Sequence, residues 1–78
     1  MKKQILESAL DQRQQEVLGY QINIDNYRLA IEYIDADGDP DLDDFREQLT
    51  GLLATEMLEQ KKAKVILAII EQQLAEMQ

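Results

Sequence analysis

Apolar and aromatic residues recur in the first half of the chain at Leu6, Leu10, Val17, Tyr20, Ile24, Tyr27, Ile31 and Ile34, with Arg13 in the one remaining place, so the spacings alternate 4, 3, 4, 3 throughout. That alternation holds one stripe of a helix against a neighbour, and a strand would need period-two alternation instead. From Lys3 to Ile34 there is no proline and a single glycine. The pattern predicts one helix over about 3–34. A second run alternates in the same way through Leu42, Phe45, Leu49, Leu52, Glu56, Glu59, Ala63, Ile66, Ile70, Gln73 and Met77. Its phase survives Gly51, so a single helix over about 40–76 is predicted, although the glycine costs ~1 kcal/mol against alanine.

Residues 35–39 must join the two helices. Asp39 followed by Pro40 reads as an N-cap with proline at the first helical position. Asp41, Asp43 and Asp44 then fill the first turn, where negative charge meets the positive end of the helix dipole. Gly38 supplies the positive φ that a tight turn needs. A connection this short makes the helices antiparallel neighbours. The fold class expected is all-α: an antiparallel, coiled-coil-like two-helix hairpin over residues 1–78.

Folding at residues 36–39 sets Ile34 beside Leu42, Tyr20 beside Glu56, Val17 beside Glu59 and Arg13 beside Ala63. The middle of the seam is therefore a polar layer of Arg13, Tyr20, Glu56 and Glu59. Arg13 is expected to pair with Glu59, with Glu16 as its rival, and the Tyr20 hydroxyl to donate to Glu56. Polar layers of this kind set register in helical bundles.

Two helices cannot cover all the apolar residues. Leu18, Ile22, Leu29 and Tyr33 lie off the first seam, Leu53, Met57, Leu67 and Leu74 run beside the second, and Leu58, Val65 and Ile69 occupy a further side. Each one left exposed forfeits ~1.5–3 kcal/mol of burial. A homodimer, two hairpins forming a four-helix bundle, is expected, with Leu18, Ile22, Leu29, Tyr33, Leu58, Val65, Leu67 and Ile69 as the self-association surface.

Charge narrows the function. The net charge is −8, and residues 35–47 hold seven carboxylates against Arg46 alone. A nucleic-acid binder needs a basic stripe, so direct nucleic-acid binding is not expected. The patch of Asp37, Asp39, Asp41, Asp43, Asp44 and Glu47 instead suits a protein partner with a basic site. The same stretch invites comparison with a calcium loop. Asp35, Asp37, Asp39 and Asp43 fit ligand positions 1, 3, 5 and 9, but Pro40 stands where the loop needs glycine and Arg46 where it needs the closing glutamate. An acidic turn is expected; a divalent-cation site at those four aspartates is the alternative.

The chain has no cysteine and no histidine. It also lacks a glycine-rich phosphate loop, and Glu56 and Glu59 have no Glu-x-x-His partner. No enzyme activity and no cofactor are expected. Lys2 and Lys3 are followed by mixed polar sequence, and no apolar run approaches the ~20 residues of a membrane span, so a cytoplasmic protein away from membranes is expected. The stretch "IDADGDPDLDDFREQL", about a fifth of the chain, together with the hairpin architecture, resembles the Rop family of plasmid copy-number proteins. That resemblance implies a dimeric helical hairpin. RNA binding through a positive helix face does not carry over, because Lys61, Lys62 and Lys64 are the only basic cluster. The expected function is a non-catalytic protein–protein interaction module presenting an apolar and acidic surface. The alternative is a small acidic inhibitor or nucleic-acid mimic, similar in size and charge to phage-encoded blockers of host proteins.

Overall fold

A computed structural model describes residues 1–77. Helix α1 spans Lys2–Asp37, a 3-10 turn spans Pro40–Leu42, and helix α2 spans Asp43–Glu76. The two helices lie side by side in an antiparallel hairpin 57 Å long and 14 Å in each other direction.

Helix α1 runs three residues past the expected end. Gly38 stops it by turning left-handed, at φ 70 and ψ 21, and donating its N–H to the carbonyl of Ile34 at 3.0 Å. Between Ile34 and Gly38 no residue offers that conformation without a steric cost, so Asp35, Ala36 and Asp37 stay helical. Asp39 is extended, and its carboxylate accepts the Asp41 N–H at 2.9 Å. Pro40 follows at the first helical position, as its fixed φ favours. The turn is so tight that the first residues after it wind as 3-10, and α2 proper begins at Asp43. Gly51 is passed without a break.

The longer α1 moves the pivot and shifts the register by about three residues. Glu56 meets Asn23, where Tyr20 was expected. On α1 the seam is the stripe read from the sequence: Leu6, Leu10, Arg13, Val17, Tyr20, Ile24, Tyr27, Ile31 and Ile34 are all buried or half-buried, with Ile24 only 2% exposed.

On α2 the seam differs from the expected one. Leu42, Leu49, Glu56, Ala63 and Ile70 face α1, but the residues completing the stripe are Arg46, Leu53, Gln60, Leu67 and Leu74. Phe45, Leu52 and Ile66 are 49%, 47% and 42% exposed, and Gln73 and Met77 are also exposed. Both choices alternate 3 and 4 and share every second residue. They part most sharply at mid-helix, where one offers Glu59 and the other Gln60. A carboxylate at that place would face the Val17 carbonyl, whereas an amide donates to it.

Candidate functional site

At the tip of the hairpin the Arg46 guanidinium donates from Nε and Nη2 to both carboxylate oxygens of Asp35, the second at 3.0 Å. The hydrogen bond from Arg46 holds the Asp35 carboxyl below its ordinary value, and the same contact raises the arginine further. Arg46, standing where a calcium loop would place its closing glutamate, thus reaches back to the residue at the loop's first ligand position. A fixed cation occupies the place of an ion. Asp39 is committed to its cap. Among the described residues no three acidic side chains converge in a way that could hold a metal. Asp37, Asp41, Asp43, Asp44 and Glu47 all lie exposed around the tip.

The polar layer gathers around a shallow cleft of about 150 Å³, lined by Arg13, Glu16, Tyr20, Glu59, Lys62, Ala63 and Ile66. Arg13 pairs with Glu16 at 2.9 Å, so the expected Arg13–Glu59 pair gives way to its rival. Glu59 pairs with Lys62 at 3.1 Å. Each cation finds a carboxylate three residues along its own helix, which spares it a reach across the groove. Tyr20 does not donate to Glu56, which accepts from Asn23 Nδ2 at 3.4 Å.

The buried polar group is one the sequence reading passed over. Gln60 is 8% exposed. Its Nε2 donates to the Val17 carbonyl at 3.2 Å and to Gln21 Oε1 at 2.9 Å. Among the described residues no buried side-chain nitrogen or oxygen lacks a partner. The available signal was the pairing of Gln21 and Gln60 at one height of the hairpin, legible only in the correct register.

The residues expected to self-associate separate into distinct groups. Leu67 is half-buried in the seam. Leu18, Ile22, Leu29 and Tyr33 are 60%, 52%, 61% and 74% exposed, and Leu58, Val65 and Ile69 53%, 59% and 48%. By helical position Ile22 and Leu29 point away from α2, and Leu58 and Val65 away from α1. They form opposite edges of the hairpin, and one flat partner does not cover both.

Between the edges lie two broad faces. Glu16, Asn23, Glu59 and Ile66 share one face, as the Asn23–Glu56 bond and the cleft establish. Continued in steps of seven, that face carries Lys2, Ala9, Ala30 and Asp37 on α1 and Phe45, Leu52 and Gln73 on α2. The other holds Gln21, Arg28, Asp35 and Met57, fixed by the Gln21–Gln60 bond and by Arg28 Nη2 lying 3.8 Å from Met57 Sδ. Its same steps carry Glu7, Gln14, Asp43, Lys64 and Glu71. The first face carries the larger exposed apolar side chains, Phe45, Leu52 and Ile66, among polar ones, and the other is mostly charged. No described helix is long and apolar enough to cross a membrane.

Compared with known proteins, the chain matches no family model, no curated protein and no solved structure.

Proposed function

We propose that this chain is a non-catalytic interaction module: a helical hairpin that pairs with a second copy as a four-helix bundle and offers its remaining apolar and acidic surface to a partner protein. The observation that carries this reading is the surface left over. The hairpin exposes 5873 Å², whereas a compact monomer of 9.0 kDa exposes about 4,900 Å². The excess, about 1,000 Å², is comparable to what one partner buries in a standard protein interface. Phe45, Leu52, Ile66 and Ile69 are among the large side chains in it. Light scattering at micromolar concentration tests the reading. A mass twice the 9.0 kDa of the chain is expected, with Ile69→Glu weakening the association because it adds a charge to a desolvated contact. A monomer throughout that range would refute it.

A second reading rests on the exposed carboxylates at the tip. In it the hairpin is an acidic inhibitor or nucleic-acid mimic whose tip enters a basic site on its target. Reversing Asp41, Asp43 and Asp44 to lysine separates the two readings: target binding is lost in the second and survives in the first.

A further inference from the structure

The two outer edges of the hairpin carry opposite charge. An edge consists of the three positions in each heptad that lie farthest from the seam. On α1 the edge half nearer the tip carries Leu18, Ile22, Leu29 and Tyr33, with Asp25 and Glu32 among them, all exposed. The half nearer the chain start is mostly polar and adds Asp11. From Gln4 to Ala36 this edge holds no lysine or arginine. On α2 the edge carries Leu58, Val65 and Ile69, with Lys61 and Lys62 among them and small or uncharged residues elsewhere. From Gln48 to Ala75 it holds no carboxylate, in a chain of net charge −8. Among the described residues, Asp25, Glu32 and Lys61 make no ion pair within the hairpin.

We infer that the α2 edge of one copy docks on the α1 edge of another, joining hairpins side by side. The spacing on the two edges matches. Ile22 and Leu29 stand seven residues apart with Asp25 between them, and Leu58 and Val65 stand seven apart with Lys61 and Lys62 between them. Set Ile22 and Leu29 against Leu58 and Val65, and a lysine comes level with Asp25 whichever way the neighbouring helix runs. It is Lys61 in a parallel pair and Lys62 in an antiparallel one. The charged centre is then flanked on both sides by apolar contacts, which exclude water and strengthen the attraction. An edge set on its own kind would instead bring carboxylates onto carboxylates or lysines onto lysines.

This goes beyond the pairing proposed above, because a bundle made through a broad face leaves the outer edges free. The two edges of one hairpin differ, so a docked pair still shows one free edge of each kind. The contact therefore repeats, into a ring or a filament. It runs from Leu18 to Tyr33, about 22 Å at 1.5 Å per residue, and is one helix, about 10 Å, wide. Such a contact buries less than the ~1,200 Å² of a stable interface and belongs with transient ones. Assembly through the edges is thus expected toward millimolar concentration and should weaken with added salt, which screens the lysine–aspartate attraction.

Two variants, each with one edge spoiled, test the contact. Leu29→Glu adds a charge to the α1 edge and Val65→Glu to the α2 edge, and both positions are exposed, so the hairpin itself should keep its helical circular dichroism. Light scattering from micromolar to millimolar concentration should show the mass of the unaltered chain rising steadily with concentration. Either variant alone should lose that rise, because every contact needs one edge of each kind. An equimolar mixture of the two should regain mass, since the intact α1 edge of one meets the intact α2 edge of the other. A mixture no heavier than its separate components, or growth that persists in both variants, would overturn the edge contact. The bundle reading is judged separately in the same samples. At micromolar concentration both variants should still show twice the 9.0 kDa of the chain, and variants that are monomers alone yet join on mixing would refute the bundle and support the edges.

Discussion

Among the described residues Gln60 is the one polar side chain buried in the seam, and its amide donates to two groups of α1, the Val17 carbonyl and Gln21 Oε1. Gln60→Glu keeps the shape and replaces the donor with a charge facing an oxygen. It should lower stability by ~2–4 kcal/mol at neutral pH. Urea unfolding at pH 7 and pH 4 checks this, since part of the loss should return at the lower pH as the carboxyl protonates. Asp35 gives the opposite kind of pH dependence. Its folded pKa is lowered, first by the hydrogen bond from Arg46. A depressed carboxylate contributes stability above its unfolded pKa and loses it as pH falls through the folded one. Wild type should therefore lead Asp35→Asn by a constant margin from neutral pH down to about pH 5, and the margin should shrink below about pH 4. Urea midpoints measured across that range decide it, and a margin that grows on acidification would mean that the pair does not form.

At the scale of the helices, the two glycines near and beyond the turn make a contrasting pair. Gly38 is left-handed, so Gly38→Ala should destabilise by ~1–2 kcal/mol. Gly51 is helical with nothing within 4 Å of an added Cβ, so Gly51→Ala should stabilise by ~0.5–1 kcal/mol. Thermal melts of the two variants should move in opposite directions. The elements themselves were legible in the sequence because the 4, 3 alternation is long and nothing but Gly38 and Pro40 interrupts it strongly. The α1 seam was legible for the same reason. The α2 seam was not, because two stripes sharing Leu42, Leu49, Glu56, Ala63 and Ile70 have similar apolar content, and the choice turns on Glu59 against Gln60 and on the tie from Arg46 to Asp35. The register followed the error at the turn: stopping α1 at Ile34 in place of Asp37 moves every facing pair. Of the candidate site, the acidic tip could be read directly, but Arg46 looked like a mere obstacle to calcium when it is the residue that neutralises Asp35. The polar layer was found in the right region, and the Arg13–Glu16 pair was named as the rival because a pair within one helix needs no knowledge of the fold, whereas the cross-helix pairs to Glu59 and Glu56 depended on the register and were missed.

For the whole molecule, the excess of exposed surface makes stability and association one question. If the hairpin pairs with itself, its midpoint of thermal unfolding should rise with protein concentration, because only the folded form binds a second copy. Melts over a hundredfold range of concentration measure this, and a midpoint that stays fixed would speak for an isolated hairpin. The single turn between Asp37 and Pro40 has a further consequence, for the order in which the chain comes apart. Residues beside it are neighbours in both sequence and space, whereas Leu6 meets α2 residues more than sixty positions along. The hairpin is a zipper with one closed end. Closing a contact near the turn orders a short loop, and each further contact needs only the one before it to be in place. Opening runs the other way, from the free ends toward Gly38. Backbone amides should therefore exchange with solvent deuterons fastest near Lys2 and Glu76 and more slowly toward the middle, with the best protection between Ile24 and Ile34 on α1 and between Leu49 and Gln60 on α2.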